Sequence, residues 1–138
     1  MSYPKRLIEV DLPIKRISVH ARREKYLGTI TSLHLWWARR PLAACRAVLC
    51  AALWPDPASE GCPEAFIIEA RRLMLVWVKD HKKLASPESY TRFDAIEKTP
   101  GLLDDSAELR TALLDFIADF ANWDNSTVKP YLETARAL

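Results

Sequence analysis

The chain of 138 residues is 49% hydrophobic and 28% charged, with three glycines and nine prolines. That composition fits one ordered globular domain and excludes a collagen, a flexible linker and a low-complexity tail. The formal net charge of +2 hides a division: residues 1–46 carry ten Lys or Arg against three Asp or Glu, and residues 47–138 carry ten against fifteen. A polyanion-facing end, or a basic half docked on the acidic half of the same chain, would each produce that asymmetry.

Taken in chain order, Leu7 to Pro13 begins apolar and then alternates, which predicts an extended segment or edge strand. Ile14 to Tyr26 places Ile14, Ile17, Ala21 and Lys25 at helical spacing among Arg16, Arg22 and Arg23, a short basic helix that Gly28 would end. Pro41 suits the first position of a helix running to about Trp54, apolar nearly all round apart from Arg46 and so expected to be buried on most sides. Pro55-Asp56-Pro57 stops it, with Asp56 read as a turn residue. Prolines at both ends and Arg46 in the middle make this run too short and too charged to span a bilayer.

A second helix is predicted from Pro63 to about Lys83, with Phe66, Ile67, Ala70, Leu73, Met74, Trp77 and Val78 on one face. Ser86-Pro87-Glu88 reads as a cap with proline at the first helical position, opening a helix to Glu97 that Thr99-Pro100-Gly101 breaks. A third long helix has Leu109, Leu113, Phe116, Ile117 and Phe120 on one face, Asp105 and Glu108 as an approximate capping box, and an end near Asn122. Asp124 to Thr127 offers caps for a last helix carrying Val128, Tyr131, Leu132 and Ala135, whose pattern is still running at Leu138. The expected fold class is mainly α: a helical domain with an extended N-terminal arm. The expected organisation is a single domain over 1–138, divided into a basic arm and short helix (1–40), a buried helix (41–57) and a helical unit (60–138).

Cys45, Cys50 and Cys62 match neither a zinc knuckle nor a disulfide framework, and His20, His34 and His81 are scattered, so free, mostly buried thiols and no metal site are predicted. The N-terminus lacks an apolar stretch with a cleavage site, which makes the cytoplasm the expected compartment. Gly28, Gly61 and Gly101 are isolated, so there is no glycine-rich phosphate loop. No nucleophile elbow and no D/N-P-P-Y turn is present, so the chain carries no complete active site and no catalytic residue is assigned.

The mouth of the helix at Pro41 is different. Its first-turn amides at Leu42, Ala43 and Ala44 lack intrahelical acceptors, and Arg40 at the cap position has no side-chain acceptor for them. A helix N-terminus flanked by Arg39 and Arg40 suits a carboxylate or phosphate, with Trp36 and Trp37 as a stacking face or lid. The competing reading packs both indoles in the core and pairs Arg39 with an acid of the C-terminal half.

LIEVDLP (7–13), REK (23–25), LHLWWARRPLAACRAVLCAALWPDP (33–57) and FIADFANWDNSTVKPYLETARAL (116–138) resemble the N-terminal domain of unknown function that opens large bacterial adenine-specific DNA methylases containing a zinc ribbon. The resemblance implies that the chain is the N-terminal part of an S-adenosylmethionine-dependent DNA adenine methyltransferase, whose glycine loop and D/N-P-P-Y motif follow downstream of a segment like YLETARAL. It implies that Trp36, Trp37, Arg39, Arg40, Pro41 and Leu42 brace the methionine end of the cofactor. It departs from the usual arrangement in the roughly 80 to 100 residues separating that segment from the expected loop, which requires an inserted helical unit over residues 60–124. Arg16, Arg22, Arg23 and Lys25 are the candidate DNA-backbone contacts, and DNA and the downstream methyltransferase domain or subunit are the expected partners. The alternative is a stand-alone helical module, without cofactor, that binds nucleic acid or docks a partner.

Overall fold

The computed structural model describes residues 3–20 and 41–138. Among them it forms seven α-helices: α1 (Leu7–Val10), α2 (Ile14–His20), α3 (Pro41–Leu53), α4 (Glu64–His81), α5 (Pro87–Lys98), α6 (Ser106–Phe120) and α7 (Lys129–Ala137). Short 3-10 turns at Lys82–Leu84, Pro100–Asp104 and Trp123–Thr127 join the later ones.

α6 is the axis of the core, packed against α3, α5, α2 and α4. Leu109, Ala112, Leu113, Phe116, Ile117 and Phe120 follow the helical period, and Leu114 and Ala118 extend burial round the helix. Full burial of one such large side chain contributes roughly 1.5–3 kcal/mol. Phe116 lies edge-on to Trp77 of α4, with ring centroids 5.0 Å apart. Tyr131 of α7 closes the cluster 4.4 Å from Trp77 and places its hydroxyl 3.2 Å from the Leu84 carbonyl, so a large ring is buried without orphaning its polar tip. The Trp77 indole nitrogen, also buried, has no hydrogen-bond partner among the described residues.

The central helices follow their sequence signals. α4 buries Ala70, Met74, Trp77 and Val78, as its period requires. Ser86 caps α5, accepting the Ser89 N–H, with Pro87 in the first turn. Asp105 caps α6 by accepting the Ala107 N–H at 2.8 Å. The capping box, however, is only half made: Glu108 pairs with Arg92, and the Asp105 N–H goes to the Leu102 carbonyl.

Three expectations need correction. Leu7 to Val10 is a helical turn instead of a strand. Its anchor is Leu7, fully buried, with its N–H on the Trp54 carbonyl at 3.1 Å, while the Glu9 carboxylate folds back onto the Arg6 N–H at 2.9 Å. Among the described residues, extended pairing is confined to one antiparallel bridge between Arg6 and Pro55. α3 starts and stops as expected but is buried on one side only, through Ala47, Cys50 and Ala51, while Leu49 and Leu53 are 59% and 67% exposed. An all-apolar helix gives no sequence cue to which face turns inward. Finally, the cap candidates 124–127 do not cap α7. They form the turn before it, where Asn122 accepts the Asp124 N–H and Asn125 donates to the Asp119 carbonyl. The stretch of the predicted basic helix beyond His20, with Gly28 as its terminator, lies outside the described residues.

Candidate functional site

Pro41 opens α3, and the first turn, Pro41 to Ala44, contains no acidic residue. No carboxylate belongs to this turn, and first-turn amides such as those of Leu42, Ala43 and Ala44 have no acceptor within their own helix, so a helix start of this kind suits an external anion. Of the residues expected to surround the mouth, Pro41 and Leu42 are its first two helical positions. Trp36, Trp37, Arg39 and Arg40 lie outside the described residues, as do Arg22, Arg23 and Lys25.

One turn further along α3, Arg46 donates to the Asn122 carbonyl at 3.2 Å and lies over the Phe120 ring, 5.1 Å from its centroid. It thus sets a positive charge at the C-terminal end of α6, where unsatisfied carbonyls favour a cation. Partial burial pulls its guanidinium below the usual arginine range. Four residues on, burial pushes the Cys50 thiol up to about 11, which leaves it protonated and unsuited to nucleophilic work at neutral pH. The expectation of mostly buried thiols holds for Cys50 alone: Cys45 is an exposed free thiol and Cys62 a partly buried one.

At the other end of α3, Arg6 donates to the Leu53 carbonyl at 2.7 Å. Beside it Asp56, 2% exposed, accepts two hydrogen bonds from Arg110, at 2.7 and 2.6 Å, and takes the Ala58 N–H at 3.0 Å. The turn role expected for Asp56 is therefore correct. The same carboxylate also ties the turn to α6, a bidentate pairing that no local spacing announced.

Arg16 is the described member of the four candidate DNA contacts, and it points into the protein. Its Nη1 donates to Asp115, and its Nη2 to Ser89 Oγ at 2.6 Å and to Ser86 Oγ and Asp119 Oδ1, both at 3.3 Å. Its Nε lies 2.7 Å from Glu88 Oε2, close enough for an ion pair but off the N–H direction needed for a hydrogen bond. Burial pushes the Asp119 carboxyl above the usual range, against the pull of Ser86, Ser89 and Arg16. Arg92 joins the cluster through Asp115 and Glu108. At Arg16, then, the charge asymmetry takes its intramolecular form: a cation of the basic half docked on carboxylates of the acidic half. Sequence reasoning missed Ser86, Ser89, Asp115 and Asp119 as its partners. The only signal was the general acidity of residues 88 to 124.

Among the described residues no group of three or more His, Cys, Asp or Glu side chains is placed to hold a metal ion. Among the same residues no helix is long and apolar enough to cross a membrane.

Residues 11–75 match the model of a protein family described only as a protein of unknown function, DUF1156. The matched stretch runs from the start of α2 into α4 and contains the whole Trp36 to Leu42 run with the opening of α3. No curated protein and no solved structure matches the chain.

Proposed function

We propose that this chain is the N-terminal, non-catalytic part of an S-adenosylmethionine-dependent DNA adenine methyltransferase. In this reading the mouth of α3 braces the methionine end of the cofactor, and Arg22, Arg23 and Lys25 approach the DNA backbone. The observation that carries it is the placement of Pro41 as the first residue of a 13-residue helix without an acid in its first turn, within the stretch that matches the family model. Support also comes from the sequence, where the WWARRPL run resembles the methylase segment and neither a glycine loop nor a D/N-P-P-Y turn is present.

When bound, the cofactor supplies the methyl group. What this chain would contribute is binding: the amides of Leu42 to Ala44 and the Arg40 guanidinium would hold the carboxylate, and the indoles of Trp36 and Trp37 would cover it. Arg16 is left out of the DNA contacts, because its donors already face Asp115, Asp119, Ser86 and Ser89.

The test is calorimetric titration of the complete polypeptide with S-adenosylmethionine. Arg40→Ala is expected to weaken binding by about 1.5–3 kcal/mol, the scale of a charged hydrogen bond, with folding intact. Unchanged affinity in a folded variant would remove the brace from the account.

One observation favours a second reading, a module that docks a protein partner. Cys45, Val48, Leu49, Ala52 and Leu53 form an exposed apolar stripe on α3 at helical spacing. A downstream domain seated on that stripe is compatible with the first reading. A cofactor-free partner would replace it.

A further inference from the structure

α2 is described over seven residues, Ile14–His20, a stretch too short to persist as an isolated helix in water. Its apolar anchorage is slight. Ile14 and Val19 are 69% and 63% exposed, and Ile17 is the one buried side chain among the α2 residues whose burial is described. Against this, Arg16 alone reaches Glu88, Asp115 and Asp119 together with the hydroxyls of Ser86 and Ser89, spanning the start of α5 and one face of α6.

The socket does not depend on the cation that fills it. Asp115 keeps a second partner in Arg92 Nε at 2.9 Å, which also stays paired with Glu108. Asp119 keeps the Ser86 N–H on its other oxygen at 3.2 Å. Glu88, with its side chain 63% exposed, returns to water. Withdrawal of Arg16 thus strands no socket carboxylate without a partner, whereas α2 loses the polar ties that Arg16 makes to α5 and α6.

We propose that Arg16 is a reversible latch, through which α2 leaves and rejoins the helical body as a unit while α3 to α7 stay folded. The opening is local, of the kind in which the least anchored element of a fold detaches below the free energy of global unfolding. It does not rest on the methyltransferase reading. The burial that pushes the Asp119 carboxyl up also readies it to take a proton when the guanidinium departs, so the open state carries less uncompensated charge.

Native-state hydrogen exchange on the 138-residue chain tests the latch. In Arg16→Gln the amides of residues 17–20 should exchange about tenfold faster or more, the factor expected for one charged hydrogen bond, while those of Leu113 and Ile117 in α6 change less than about twofold. Arg16→Lys, which keeps the charge but loses the fork, should fall between wild type and Arg16→Gln. Asp119→Asn removes the buried charge from the socket side and should also release α2 with α6 still protected. An α2 that exchanges at the wild-type rate in Arg16→Gln would overturn the latch. So would a common acceleration of α2 and α6, or loss of the folded state in both Arg16→Gln and Asp119→Asn, because α2 would then belong to the global cooperative unit.

Discussion

α6 buries nine of its fifteen residues, and α2 buries a single one of those described. α6 is held by rings and aliphatic chains from its neighbours; α2 is tied to α5 and α6 by an arginine set among carboxylates and hydroxyls. The difference teaches where sequence patterning has force. An apolar period locates a helix that apolar contacts hold, but it is silent about a helix held by charges some hundred residues away in the chain. It also separates two kinds of vulnerability: truncating α6 opens a cavity, whereas truncating Arg16 lets an element go.

The largest effect should come from the centre. Phe116→Ala removes the ring shared by Trp54, Trp77, Phe120 and Tyr131 and is expected to cost about 3–5 kcal/mol in urea unfolding. Arg110→Ala should follow, at about 2–4 kcal/mol, since it leaves the carboxylate of Asp56 buried without its bidentate partner while α2 stays latched. A neutral outcome there would show that the Pro55 to Pro57 turn does not need its tie to α6. Ser86→Ala is expected to cost about 1 kcal/mol as a lost N-cap, and because Ser86 also serves the Arg16 socket it should loosen α2 more than α7 in exchange measurements.

Cysteine chemistry gives the smallest and sharpest contrast. Alkylation near pH 8 should label exposed Cys45 and spare Cys50, as mass spectrometry of the native protein would report. Burial raises the Cys50 thiol to about 11, so the unfolded chain loses this proton first. The Cys50 contribution to stability should therefore decline as pH rises from about 9 towards 11, and Cys50→Ala should lack that decline.

Much of the architecture was legible because the helices announce their own ends. Pro41, Ser86-Pro87 and Asp105 each sit where the chain enters a helix, and the period of α4 names its buried face. What was not legible has a common cause in long-range contacts. Leu7 is drawn into a helical turn by a pocket that includes the Trp54 carbonyl, and the inward side of α3 is chosen by α6. Of the candidate site, the start of α3 could be read from Pro41 alone, whereas the commitment of Arg16 to Ser86, Ser89, Asp115 and Asp119 could not, because no spacing links positions that far apart.

The proposal for α3 is tested most directly by a crystal structure of the complete polypeptide with S-adenosylmethionine. The account predicts the methionine carboxylate within hydrogen-bond reach of the Leu42 to Ala44 amides, Arg40 against it and at least one of Trp36 and Trp37 beside it. Arg39 and Arg40 paired inside the chain, both indoles in the core and the cofactor bound elsewhere would contradict it, and WWARRPL would then be a packing motif.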